Sequence, residues 1–426
     1  MKILFLWNGM THYFNLVTSK INKQPGVEIV YVNPLAVSTG IGDGVFQTKA
    51  GADFEIIELV EKYNSRENFL YFENLDKILS EKKPDIILVT ENHLKSLVFD
   101  QNTKLAIERG KIKVILKTIP FRLNKYRDDI ELAKVNIKTS ELPPLSSVPA
   151  AIRRPLKTLA VDRLYKKMVL DKRGFRNFLN EKNLQRQLYN FVDAHVNYIE
   201  EAYDIYGSYG VPREKIFITY NSPDTDHYLA VRAKIEQEEP ILPENNFRII
   251  HVSRLVEWKR VDMLVEAVAN LKEEFPRIEL LVIGSGPELD NLIKQAAQRN
   301  VSDAIRFLGG VYEVELLGKY LMASSIYILA GMGGLSINDA MIFGLPVICS
   351  VCDGTEKYLV KEGYNGLYFE NGNQKSLEEK ISYLFKNPAL GKQMGEKSTG
   401  IIKNEINIHT VVDGYMRAFN YVLRDA

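Results

Sequence analysis

Short, largely apolar runs alternate with helix-length amphipathic stretches along most of this chain, and few folds accommodate that rhythm. In the first half the strand-like runs are 2–7, 28–32, 85–89, 113–117 and 194–198, with helical patterns such as 13–21, 66–79 and 103–108 between them. The second half repeats the theme, with strands at 248–252, 279–283, 305–308, 326–329, 347–349 and 367–369. Its helical patterns are 261–274, 288–299, 314–323, 336–343, 355–360 and 376–385. Strands with continuous apolar stretches, and not strict alternation, are buried on both faces, which implies parallel sheets covered by helices on either side. A turn-rich passage, 221–246, separates the halves. The expected fold is therefore α/β, with two doubly wound Rossmann-like domains facing each other across a cleft.

Ligands of open α/β sheets bind beyond the carboxyl ends of the strands. Loops around Gly9, His93, Arg254, Gly284 and Gly331 all follow expected strands. Arg254 and Lys259 supply a planar donor fork and a mobile point charge, a pair suited to a pyrophosphate. The glycine loop Gly331-Met-Gly333-Gly334, followed by Leu335 and Ser336 at the start of a helix, lets backbone amides approach an anion. Asp339, further along that helix, is a carboxylate that can accept from both hydroxyls of a ribose. Together these residues read as a site for a nucleoside diphosphate carrying an activated sugar, where cations must meet the charge that develops on the departing diphosphate. Gly284-Ser-Gly286 lacks the third glycine of a dinucleotide fingerprint, Leu289 standing there, and reads better as a packing turn. His93, and less so His12, are candidates to touch the transferred sugar.

Other chemistries find little support. Fifty-five basic residues nearly balance 54 acidic ones, so net charge does not point to nucleic acid. Cys349 and Cys352 lack the further ligands a zinc site needs, and Cys349 reads as the end of a buried strand. The one Asp-x-Asp, Asp224-Thr-Asp226, falls in the passage between the halves, and no metal or other cofactor is expected. With no apolar run long enough to span a bilayer and no signal-like start, the chain reads as cytoplasmic. The stretch 153–186 carries eleven Lys or Arg interleaved with Leu, Met and Phe. Such a basic amphipathic segment suits an anionic membrane surface, or packs on its own domain with a solvated face. The glycine- and proline-rich stretches 38–44 and 140–149 read as surface loops.

Ser253-Arg-Leu…Lys259, Ile283-Gly-Ser-Gly-Pro287, Phe307-Leu-Gly309, Phe343-Gly-Leu-Pro-Val347 and Asn365-Gly-Leu367 stand in an order and spacing that resemble the family 4 retaining glycosyltransferases of the GT-B fold. The passage Tyr209-Gly-Val-Pro…Tyr228 is similar to that family's interdomain connection. The resemblance implies an acceptor domain over 1–225 with a basic helical insertion at about 150–187, a donor-nucleotide domain over 226–405, and a final helix, 406–426, returning to the first domain. It also implies metal-independent transfer of a sugar to a hydroxyl acceptor with retention of configuration, Arg254 and Lys259 stabilising the leaving diphosphate. Gly309 and Tyr312 would lie near the nucleobase. A lipid-linked or cell-surface glycan is the expected acceptor. Two departures stand out. The family's glutamate–seven residues–glutamate signature falls on Gly331 and Asp339, and relatives often place a histidine near Lys117-Thr-Ile-Pro120, where this chain has none. The first departure keeps a second reading open, a catalytically silent nucleotide-sugar-binding partner subunit. An epimerase or phosphorylase of similar architecture is a third.

Overall fold

The computed structural model describes residues 1–36, 47–118, 124–129, 172–352 and 354–424, and the side chains of 172–178 lie outside that description. The loops expected at 38–44 and 140–149, Ile119 and Pro120, and most of the basic stretch 153–186 fall outside it as well.

The first sheet has seven strands in the order β3-β2-β1-β6-β7-β8-β9. These are β1 (Lys2–Leu6), β2 (Glu28–Pro34), β3 (Glu55–Leu59), β6 (Ile86–Thr90), β7 (Lys113–Lys117), β8 (Ala194–Asn197) and β9 (Ile216–Ile218). A hairpin, β4 (Glu61–Asn64) with β5 (Phe69–Phe72), pairs apart from it. The second sheet has the order β12-β11-β10-β13-β14-β15. It is built from β10 (Arg248–Val252), β11 (Glu279–Ile283), β12 (Ile305–Gly309), β13 (Ile326–Leu329), β14 (Val347–Cys349) and β15 (Gly366–Tyr368). All pairings within the two large sheets are parallel.

Why the strands are apolar throughout is visible in β1. Ile3 and Phe5 enter one core cluster, Leu4 and Leu6 another, and all four are 0% exposed. In the second sheet Ile249 and Ile250 divide in the same way between two clusters. The helix Ile408–Leu423 closes one face of the first sheet, packing Val411, Val412, Tyr415, Ala418 and Phe419 against Ile3, Phe5 and their neighbours.

Three expectations need correction. The pattern at 66–79 is not one helix but β5 followed by the helix Leu75–Lys82. Phe69, Phe72, Leu75 and Leu79 are all buried, so helical spacing was produced by two different elements. The passage 221–246 is not all linker, because Thr225–Ile235 is a helix capped by Asp224 and tied to the second domain through Arg232, which donates to Ile342 O at 2.7 Å. His93 does not lie in a loop but within the helix Glu91–Phe99.

The two carboxyl edges face one another. Glu201, beyond β8, accepts from Lys357 Nζ at 2.9 Å and from Tyr358 Oη, both beyond β14. Lower down, Lys20 Nζ reaches Asp226 at 2.8 Å and Asp224 at 3.0 Å, while His409 Nε2 lies 2.9 Å from Asp226. The carboxylates of the Asp-x-Asp are thus engaged in fastening the start of the helix Thr225–Ile235 to the first domain and the final helix.

Candidate active site at the second sheet's crevice

Strand order reverses between β10 and β13, and a crevice opens beyond the carboxyl ends of such a pair. Arg254 and Lys259 follow β10; Gly331–Asp339 follows β13. The topology therefore brings together the two motifs that sequence spacing alone keeps apart.

The loop carrying Arg254 is fixed by the glycine turn after β11. Leu255 N donates to Ser285 O at 2.8 Å and Glu288 N to Leu255 O at 3.0 Å. A Cβ on Gly284 (φ +144°) would overlap Ser253 O and come within 2.9 Å of its carbonyl carbon. One on Gly286 (φ +158°) would lie 2.7 Å from the Leu255 carbonyl carbon. The turn is a packing device, as its incomplete fingerprint implied, and its function is to seat the arginine loop. Arg254 is half-buried, its guanidinium 5.9 Å from the centroid of the exposed Trp258 ring.

Lys259 ends a 3-10 turn and is buried, with 7% of its surface exposed. Its Nζ donates to Met332 O and Gly333 O, both at 2.7 Å. The ammonium is thus threaded through the glycine loop, and a Cβ on Gly334 would lie 3.4 Å from it. The same crossing explains Gly331. Met332 N donates to Trp258 O at 3.0 Å, and a Cβ on Gly331 would overlap that oxygen and lie 2.8 Å from Lys259 C and Cα. The missing acid and the buried lysine are therefore one arrangement: the chain gives up a side chain at Gly331 so that the two loops can touch.

His251, which sequence reasoning passed over, supports this loop from below. It is 0% exposed, and burial first, with the nearby Lys259 charge, pushes its pKa down to about 4. Nδ1 lies 2.8 Å from Ile328 O, which can only accept, so the neutral ring carries its proton there. Nε2 lies 2.7 Å from Ser253 Oγ, whose hydroxyl also reaches Arg254 O at 2.9 Å, so the ring helps hold the residue before Arg254. A histidine between Ile250 and Val252, within an expected buried strand, was the available signal.

The helix Ser336–Ile342 begins at Leu335, and Ser336 Oγ accepts from Tyr327 Oη at 2.7 Å. Asp339 lies on this helix with Oδ1 buried and without a hydrogen-bond partner. Burial pushes its carboxyl up to about 7. A buried acceptor without a donor fits hydroxyls that a ligand brings. If the ribose of a nucleotide sugar takes this place, its hydroxyls favour the carboxylate, and binding should release a proton from Asp339. Affinity for a nucleotide sugar, whose phosphodiester groups do not titrate here, should rise by up to about tenfold per pH unit as pH climbs from 6 towards 7, then level off. Calorimetric titrations across that range should show the slope, and Asp339→Asn should flatten it; an unchanged slope in the variant would place the titrating group elsewhere.

The remaining expected residues separate. Gly309 (φ +70°) accepts through its carbonyl from Gly284 N at 2.7 Å, tying this loop to the glycine turn. Tyr312 is 79% exposed, and a Cβ on Gly310 would lie 2.9 Å from its ring, so the ring lies along the Gly310 backbone with one side open. His93 is 0% exposed, with Nε2 2.8 Å from Glu61 Oε1 and its ring stacked on Phe72 at 4.6 Å. It fastens β4 and β5 to their helix and presents no face to a sugar, which corrects the expectation of a catalytic role. His12 heads the helix His12–Asn22 and is exposed. Among the described residues no group of three or more His, Cys, Asp or Glu is placed to hold a metal ion. No helix there is long and apolar enough to cross a membrane.

Comparison with known proteins places these features. Residues 233–400 match the family model described as glycosyl transferases group 1. An uncharacterized glycosyltransferase of Haemophilus influenzae is 29% identical over 188 residues, 42% of this chain and 52% of that protein. The lipopolysaccharide core biosynthesis glycosyltransferase LpsE of Rhizobium meliloti is 25% identical over 209 residues, 48% of this chain and 58% of that protein. The chain thus spans about half the length of the curated relatives it matches. HepE of Anabaena, solved in complex with UDP, superposes with a TM-score of 0.64 at 16% identity, covering 99% of this chain and 100% of that one. The chain has the GT-B fold, and the stretch matched by the group 1 glycosyl transferases holds Arg254, Lys259 and the glycine loop.

Proposed function

We propose that this protein is a glycosyltransferase that moves a sugar from a nucleoside-diphosphate sugar to a hydroxyl acceptor, with retention and without a metal. The observation that carries the reading is the β10/β13 crevice, where Lys259 bonds the glycine loop that leads to the buried, unpartnered Asp339 oxygen and Arg254 stands on the loop after β10.

Asp339 takes the ribose, Tyr312 and Gly309 flank the base, and the diphosphate lies against the loop Gly333–Ser336. As the anomeric C–O bond breaks, charge accumulates on the leaving phosphate oxygen. The buried Lys259 ammonium and the Arg254 fork meet that charge in a partly desolvated setting, where it is worth more than in water. Lys259 acts here through its charge, which reaches the phosphate whichever atoms its protons touch. The acceptor hydroxyl enters from the side the diphosphate leaves, and a phosphate oxygen takes its proton, so the configuration at the anomeric carbon is kept. The cations occupy the role a divalent ion holds in other transferases, which agrees with the engagement of Asp224 and Asp226 by Lys20 and His409.

A lipid-linked or cell-surface glycan is the acceptor we favour. The name of LpsE points to lipopolysaccharide assembly, and the basic, apolar composition of 153–186 suits an anionic bilayer surface where such acceptors reside.

The test is direct. UDP-, GDP- and ADP-sugars are first screened by melting temperature, since a ligand that binds only the native state raises it. The stabilising donor is then incubated with glycan acceptors and followed by mass spectrometry and anomeric proton NMR. The expected result is transfer, or slow hydrolysis, yielding the same anomer as the donor. A donor that stabilises the protein yet suffers neither fate would point to a silent binding subunit, and release of a sugar phosphate by added phosphate to a phosphorylase.

A further inference from the structure

The first sheet has its own reversal of strand order, between β1 and β6, and it carries a polar edge that the donor site does not use. Thr90 ends β6 and donates to Asn8 Oδ1, just beyond β1, at 2.8 Å. Lys117 ends β7 in register with Thr90. Its Nζ lies 5.1 Å from the Trp7 centroid and 5.0 Å from that of Phe14, two rings stacked 4.4 Å apart. Among the described residues no carboxylate pairs with it, whereas Lys182 of the same domain has Asp129 at 2.6 Å.

An ammonium withdrawn from water and faced, among the described residues, by aromatic rings and no carboxylate is under-compensated. Cation–π attraction returns part of the lost hydration, not all of it. Burial accordingly holds the Lys117 pKa down at about 8, with no opposing charge to lift it. At neutral pH the group is still mostly protonated, so a cation stands there with no counter-ion among the described residues. Its place matters as much as its charge. The carboxyl edge it occupies also bears Glu201 beyond β8, which touches Lys357 and Tyr358 beyond β14, so this edge borders the cleft opposite the donor crevice.

We propose that Lys117, framed by Trp7 and Phe14, is an anchor for an anionic oxygen group, a phosphate or carboxylate, on the acceptor. The acceptor meaning of the site rests on the transferase reading above; the anion site itself does not. The aromatic pair supplies an apolar wall beside the charge, so an acceptor with a sugar ring or acyl portion next to its anion would fill both.

The chain holds two tryptophans. Trp258→Phe therefore leaves Trp7, beside Lys117, as the only tryptophan reporter. In that background glycerol 3-phosphate, glucuronate and phosphatidate-containing vesicles are titrated while Trp7 emission is recorded, with glycerol and phosphatidylcholine vesicles as uncharged or zwitterionic controls. A saturable change with at least one anion and none with the controls is expected. Lys117→Met should weaken it at least tenfold, Lys117→Arg should keep it, and Lys259→Ala should leave it standing, which separates this site from the donor crevice. A response to vesicles alone assigns the anion to a lipid headgroup, a response to the small esters or acids to a soluble acceptor. No saturable response, or one that survives Lys117→Met, overturns the proposal and leaves Lys117 a packing cation. If Lys117→Met fails to fold, the comparison is made with Lys117→Gln. The melting-temperature response to UDP-sugars, recorded on the same protein, decides the transferase reading separately.

Discussion

Gly331→Glu, which places there the acid of the glycosyltransferase signature that this stretch resembles, is expected to damage the protein and not to improve it. The position has no room. A Cβ there would overlap the Trp258 carbonyl oxygen and press on Lys259 C and Cα at 2.8 Å, and those are backbone atoms that cannot swing aside. The loop would have to leave Trp258, breaking the bond from Met332 N to Trp258 O and pulling the Met332 and Gly333 carbonyls from Lys259. Overpacking costs about 1–3 kcal/mol, and a lost buried hydrogen bond adds to it. A total of about 3 kcal/mol would lower the melting temperature of a domain this size by about 6–12 °C. Donor turnover should fall with it by at least about tenfold, because the loop and both cations shift. Gly331→Ala should show a smaller loss in the same direction. A glutamate variant that melts like wild type and turns over donor as fast would show that the two loops need not touch.

Lys259→Ala is the second large effect. One buried charge at a developing anion is worth between about tenfold and about 10³-fold in turnover, so a loss of at least tenfold is expected. The same change leaves Met332 O and Gly333 O without their buried donor, which should cost about 1–3 kcal/mol of stability. The two consequences are read separately, turnover per folded molecule from initial rates and stability from melting. Near-normal turnover with a lowered melting point would make Lys259 a loop staple only and remove it from the chemistry.

Much of this was written in the chain. Apolar runs such as Ile3–Leu6 feed two cores at once, so their composition betrays strands covered on both sides. Arg254, Lys259 and Asp339 stood out because they follow expected strands beside glycine turns, and the fold sets those turns at one crevice. What escaped depended on partners distant in sequence. His93 looked like a loop histidine, since Thr90 makes no side-chain cap to announce the helix that follows; only Glu61 and Phe72 reveal its function. The glycine at 331 reads as a loss until the Trp258 carbonyl is seen against it. Lys117 ends an ordinary strand in the sequence, and nothing local says that the rings beside it come from β1's end and the first helix.

The helix Ile408–Leu423 covers a sheet whose first strand begins at Lys2. During synthesis, Phe5, Tyr31, Leu88 and Ile115 therefore emerge long before the residues that shield them. The amino-terminal half therefore lacks the cover for one flank of its sheet until the final helix has been made. Order of manufacture and order of assembly run in opposite directions in this molecule, so anything that stalls translation late leaves behind a sticky, half-roofed product.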